Sequence, residues 1–282
     1  MDGIIHHPFS YPLGPISVTG FGLAVLLAFI VAQFIAEKEL VRRGHDASYI
    51  PDLIIAAVVG GLAGAKIYYV ILMGGDPRLL LARAGFVFWG GLIGGTIAVL
   101  AIARFRKLPL PRICDVGGIC VAAAYAVGRT GCWAVGDDYG RPWNSPLAVK
   151  FPEGAPPSTA AVMQSQFGIP MAPGTAPDAV LAVHPTQIYE VALGTLMFFM
   201  LWRMRGHKHA EGWLFGMYCI FAGMERFIIE FFRAKDDSHF LGPLTAAQAI
   251  ALLFLIAGVA IVMRTQNTSP ASPGIYAPGA TR

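Results

Sequence analysis

The sequence predicts an all-α membrane protein with seven transmembrane helices, the N-terminus outside, the C-terminus cytoplasmic, and an outer-face loop or cap between helices four and five. Three observations lead there. Of 282 residues, 55% are hydrophobic and only 13% charged, where a soluble domain carries about 25% charged side chains. That is too few charges to coat a large water-soluble core. Seven windows hold about twenty apolar residues each, enough to cross a hydrocarbon layer of roughly 30 Å. The loops between them alternate between rich and poor in Lys and Arg.

The windows cover residues 16–36, 51–72, 86–103, 113–135, 186–202, 213–232 and 244–263. Each is continuously apolar, which marks a helix, because strands of a membrane barrel alternate with a period of two. The first fifteen residues carry prolines and histidines but no Lys or Arg. A secretory signal peptide begins with a basic region, so the first window is expected to stay in the mature protein. Lys38, Arg42 and Arg43 follow the first window, Arg104, Arg106, Lys107 and Arg112 the third, Arg203, Arg205 and Lys208 the fifth, and Arg264 and Arg282 the last. The opposite loops hold only Arg78 and Arg83, Arg141 and Lys150, and Arg233 and Lys235. The richer side is expected to be cytoplasmic.

This reading divides the chain into a transmembrane domain, 1–264, and a tail, 265–282, rich in Ser, Pro, Thr and Gly and expected to be disordered. Within the domain, segment 136–185 lies on the outer face. Its prolines, from Pro142 to Pro177, leave little room for continuous helix. It reads as a loop or small cap, and residues 152–178 read equally as a flexible linker. A net charge of +4 without a clustered basic face gives no sign of a nucleic-acid partner. Cys114, Cys120, Cys132 and Cys219 sit in apolar stretches without a C-x-x-C pair, so neither a disulfide framework nor a metal site is expected.

Charged residues inside the windows carry the functional signal, because an ion at mid-bilayer costs about 2.5–3.5 kcal/mol on insertion scales. They are Lys66, Asp115, Arg129, Glu190, Glu225, Arg226 and Glu230. Lys66, Arg129 and Arg226, with Arg233 a turn further on, are expected at one depth near the outer leaflet, where they would form an anion site for a phospholipid head group. Arg226 and Glu230 share a helix face at i,i+4 and read equally as an ion pair. Asp115 is expected to cap its own helix or to face water. Residues 128–141, Gly-Arg-Thr-Gly-Cys-Trp-Ala-Val-Gly-Asp-Asp-Tyr-Gly-Arg, put helix-breaking glycines beside two arginines and two acids, which reads as a site. The glycines of Phe88-Trp89-Gly90-Gly91-Leu92-Ile93-Gly94-Gly95 read as helix packing, or as room for a lipid chain.

With these residues in hand, the chain resembles the bacterial prolipoprotein diacylglyceryl transferases over nearly its whole length. The likeness rests on Phe88 to Gly94, on residues 128–141, on His184-Pro185-Thr186-Gln187-Ile188-Tyr189-Glu190, and on Arg226-Phe227-Ile228-Ile229-Glu230-Phe231-Phe232-Arg233. The resemblance implies a multi-pass protein of the bacterial inner membrane, its active site toward the outer leaflet. It implies transfer of the diacylglyceryl group of phosphatidylglycerol to the thiol of a prolipoprotein lipobox cysteine, without a cofactor. Arg129 and Arg226 would hold the phosphate and Glu230 would orient Arg226. Lys66, Trp89, Arg141, His184, Gln187, Tyr189, Glu190 and Arg233 would contact the substrates, with membrane lipid and the precursor's signal peptide as partners. His184-Pro185 reads either as a helix start or as a titratable group near the site.

Five departures from the family pattern are visible. The family's Phe-His-Gly-Gly histidine is Trp89, whose indole donates a hydrogen bond but accepts no proton. The signature's two asparagines are Cys132 and Val135, and its glutamate is Asp137. A tyrosine early in the first helix is Phe21. Three readings follow: a transferase in which Asp137, Glu230 or water takes the thiol proton, a non-catalytic relative that binds anionic lipid or lipoprotein precursor, or a transferase with another acceptor, with Cys132 itself reactive.

Overall fold

The computed structural model describes residues 4–13, 16–82, 85–235, 239–242 and 244–266. Eight α-helices order these residues: α1 (Gly20–Arg42), α2 (Ile50–Leu72), α3 (Phe88–Phe105), α4 (Leu110–Val135), α5 (Ala160–Phe167), α6 (Thr186–Met204), α7 (Trp213–Ile229) and α8 (Ala246–Thr265). A short 3-10 helix, Pro77–Leu81, lies between α2 and α3. The strands are β1 (Ile4–Ile5), β2 (Ser10–Leu13), β3 (Ile16–Thr19), β4 (Val149–Lys150), β5 (Ala182–Val183), β6 (His239–Leu241) and β7 (Leu244–Thr245). Each of the seven apolar windows falls on a helix, α1–α4 and α6–α8. Five of them, α1, α2, α3, α4 and α8, are long and apolar enough to cross a membrane. The expected disorder after residue 264 falls mainly on 267–282, outside the described residues, and Thr265 is still helical.

The first window starts too early. Residues Ile16–Thr19 form β3, paired antiparallel with β2, and the helix begins only at Gly20, where the Thr19 hydroxyl accepts from the Gly22 amide at 3.2 Å. Hydropathy reads an apolar strand and an apolar helix alike, and the cap is what separates them.

Helix α4 is the centre of the bundle, packing on α1, α6 and α7, while α2 pairs with α3 and α7 with α8. Leu40, Ile119, Ala122, Leu201 and Leu214 are fully enclosed where these helices meet. Helices α2 and α3 cross through glycine: a side chain at Gly94 would run into the backbone of Gly60 and Gly64. The 88–95 glycines thus serve helix packing.

Asp115 neither caps its own helix nor faces water. It is wholly buried, and its carboxylate accepts from the backbone amides of Gly212 at 2.9 Å and Phe215 at 2.8 Å. It therefore caps α7 from across the bundle, satisfying amides that have no partner inside their own helix.

Segment 136–185 is a cap with its own core, not a linker. β4 is the middle strand of a three-stranded sheet, parallel to β1 and antiparallel to β5. Val149 and Val183 of these strands form a buried cluster with Tyr139, Phe151 and Met163. The prolines limit helix to α5, eight residues long.

Candidate active site

Arg129 lies in the last two turns of α4, which Gly136 ends in the left-handed conformation (φ 69°), a backbone state that suits glycine. The chain then turns through Asp137 and Asp138, and Asp138 is itself left-handed (φ 54°), uncommon for a residue with a side chain. The first turn of α6 grips this acidic turn. Gln187 Nε2 donates to the Asp137 carbonyl at 2.5 Å and Thr186 Oγ1 to the Asp138 carbonyl at 2.7 Å.

The guanidinium of Arg129 is held on several sides. Its Nε donates to Glu190 Oε2 at 2.7 Å, its Nη2 makes a shorter contact to the same oxygen, and its Nη1 reaches Asp138 Oδ2 at 2.8 Å and Cys132 Sγ at 3.2 Å. Arg233, just beyond α7, donates to the other Asp138 oxygen at 2.5 Å and lies 3.9 Å from Glu190. Two guanidiniums thus converge on one carboxylate. Behind them Tyr125 stands between Glu190 (3.2 Å) and Glu225 (2.9 Å). Arg233 reaches this place because the backbone of residues 140–141 pairs with that of 232–233, Arg141 N donating to the Phe232 carbonyl at 2.8 Å.

Arg226 forms the expected i,i+4 pair with Glu230, at 2.9 Å, and its charge also acts on the Asp138 carboxylate. Glu230 is almost wholly buried, in contact with Lys235 and accepting from the Thr245 hydroxyl at 2.8 Å. A carboxylate so neutralised orients Arg226 and is a weak base. Asp137 differs. Burial, and then the neighbouring Asp138 charge, push its carboxyl up to about 6, and Cys132, Arg129 and Arg233 are the other groups acting on it. Burial works against ionisation of Asp138 too, but Arg233 and Arg129 outweigh it and hold that carboxyl below its ordinary value.

Other expected contacts separate from this centre. Lys66 does not join the arginines in the described hydrogen bonds. It is buried, donates to the Ala82 carbonyl at 2.5 Å and sits 4.9 Å over the Phe86 ring, anchoring the connector between α2 and α3. Trp89 is half-exposed and edge-on to Phe88. His184 stacks on Trp143 at 4.3 Å and hydrogen-bonds the Tyr189 hydroxyl at 3.2 Å. Burial lowers its pKa, and it packs at the start of α6. Cys132, Asp137 and Asp138 bring ligand atoms within 4.8 Å of one another. A guanidinium already donates to two of the three, so the group suits a cation side chain rather than a metal ion.

Sequence reasoning missed three parts. Asp138 was one of two acids in the signature, with nothing to say that it joins two arginines. Tyr125 is an ordinary aromatic in an apolar window, and Lys235 a loop cation whose partner Glu230 lies five residues away.

A family model described as prolipoprotein diacylglyceryl transferase matches residues 8–264. Three proteins named phosphatidylglycerol–prolipoprotein diacylglyceryl transferase are similar along almost their whole length. That of Clostridium tetani is 29% identical, the match covering 89% of this chain and 95% of the relative. That of Geobacter sulfurreducens is 27% identical over 93% and 97%, and that of Xanthomonas oryzae pv. oryzae 28% over 96% and 95%.

Proposed function

We propose that this chain, which belongs to the prolipoprotein diacylglyceryl transferase family, transfers the diacylglyceryl group of phosphatidylglycerol to the lipobox cysteine of a prolipoprotein. The observation that carries this reading is the convergence of Arg129 and Arg233 on one anionic group at the junction of α4, α6 and α7, with Arg226 beside it. Two guanidinium forks that grip a carboxylate offer the donors a phosphate ester requires. In the reaction the cysteine sulfur bonds to the glyceryl carbon, the carbon–oxygen bond to phosphate breaks, and glycerol phosphate departs with the electron pair. Preorganised donors at the oxygen where charge gathers are the main source of acceleration in such a step.

The thiol proton goes to Asp137. Trp89 cannot accept it, and Glu230 is neutralised by its neighbours. A carboxyl raised to about 6 is a better-matched base at neutral pH. The base works only when ionised, so transfer is expected to fall as the pH drops through about 6 and to hold above it. A pH profile on the purified chain checks this, and Asp137→Asn should remove most of the activity at every pH.

Two backbone contacts support seven crossings. β1 pairs with β4 across α1–α4, and residue 140 pairs with residue 233 across α6 and α7. Each pair must lie on one side of the membrane, so an even number of helices must cross between its members. Single crossings by α1–α4, α6, α7 and α8 meet both conditions and leave the C-terminus opposite the cap. The loop cations support a cap and site on the outer face, and membership of the family supports the bacterial inner membrane.

The direct test is expression in cells depleted of their own transferase, following conversion of a lipobox precursor to the thioether form. Conversion is expected. None from a folded, well-expressed chain that still binds phosphatidylglycerol would leave a lipid-binding protein.

A further inference from the structure

We propose that Asp138 is a built-in anion that occupies the phosphate seat until a lipid phosphate displaces it, and that it thereby sets the affinity of the site for its lipid; this rests on the transferase reading above. Two carboxylates share the Arg129 guanidinium, and they differ in kind. Glu190 is 1% exposed, is contacted by Tyr125 as well as by Arg129 and lies near Arg233, and has no way out. The Asp138 side chain is 38% exposed, and each of its oxygens meets one of the two arginines.

Charge makes the same distinction. Arg129 and Arg233 face Glu190 and Asp138, so the two charges aimed at the seat are cancelled while it is closed. With Asp138 turned away the seat gains one positive charge, and the Arg129 Nη1 and Arg233 Nη2 donors aimed at Asp138 become available. The movement is small. The Asp138 carbonyl is pinned by Thr186, so the backbone stays in its left-handed conformation (φ 54°) and only the side chain rotates. Displacement of one anion by another also favours ligands with a full charge: a lipid whose head lacks phosphate has nothing to exchange for the carboxylate.

The test titrates short-chain phosphatidylglycerol into the purified full-length chain in micelles by calorimetry, with short-chain diacylglycerol, which has the tails and no phosphate, as control. Asp138→Asn is expected to bind phosphatidylglycerol about two- to fivefold tighter, the scale of a partly exposed ion pair. Diacylglycerol binding should be unchanged, and Asp138→Glu should stay near the parent value. The KM for phosphatidylglycerol should fall by the same factor as the dissociation constant. Equal or weaker binding by folded Asp138→Asn would make the residue a structural brace and overturn the proposal. Tighter binding with no transfer by any variant would keep the displaced anion and remove the transferase reading. Should Asp138→Asn fail to fold, the parent chain is labelled with a water-soluble carbodiimide and mapped by peptide mass. Labelling of Asp138 is expected to rise when phosphatidylglycerol is present, and an unchanged or reduced yield overturns the proposal.

Discussion

Arg129→Ala is expected to reduce diacylglyceryl transfer by at least about 10²–10³-fold, the scale seen when one preorganised donor to a developing anion is removed. The loss has two origins. Phosphate loses one of its two main forks, and the seat collapses, because Arg129 joins α4 to Glu190 on α6 and to the acidic turn. Glu190, 1% exposed, would keep only Tyr125 and the longer Arg233 contact, and breaking a buried ion pair costs about 3–5 kcal/mol. Arg129→Lys separates the two. It keeps the charge but loses the planar fork, so it should retain most of the stability while transfer remains strongly reduced. Turnover of a lipobox peptide, measured beside thermal unfolding in micelles, checks both variants. Near-parental turnover by Arg129→Ala would remove the phosphate role.

Asp115→Ala is expected to destabilise the bundle by about 2–4 kcal/mol, through loss of a helix cap and exposure of two buried amides to an apolar cavity. The site is far from the arginines along α4, so the effect should appear as a lower unfolding temperature and poor accumulation in the membrane. The specific activity of the folded fraction should be nearly unchanged. Asp115→Asn keeps an acceptor oxygen for one amide but gives up the negative charge at the positive end of α7, and should fall between parent and Ala. Equal stability of Asp115→Ala and parent would show that the contacts to Gly212 and Phe215 carry no weight.

The bundle was legible in the sequence because lipid imposes one simple rule, a run of apolar residues per helix, and windows two to five lie within two or three residues of the ends observed. What escaped was local or distant. Residues 16–19 are as apolar as a helix start, and only the Thr19 hydroxyl marks the boundary. Asp115 looked like a cap for the helix it begins, because sequence shows neighbours along the chain and not Gly212, which folding brings beside it. At the site, Arg129, Glu190, Arg226 and Glu230 were marked as charges too costly to be idle in a membrane, with Arg233 a turn further on; ion pairs join Arg129, Glu190 and Arg233 around Asp138, and Arg226 pairs separately with Glu230. Lys66 obeyed the same argument and went elsewhere. A single ammonium on a long stem is satisfied by a backbone carbonyl and an aromatic face, so cost alone names the residues that need a partner without naming the partner.

The pairing of Ile4 and Ile5 with β4 dictates a schedule for synthesis. The first strand leaves the ribosome roughly half a protein before its mate, and at about 5–20 residues per second it waits on the order of ten seconds with its backbone groups unmatched. The sheet is therefore finished late, after α1–α4 have been made, and a fusion partner attached ahead of residue 4 would press on the edge where that sheet closes.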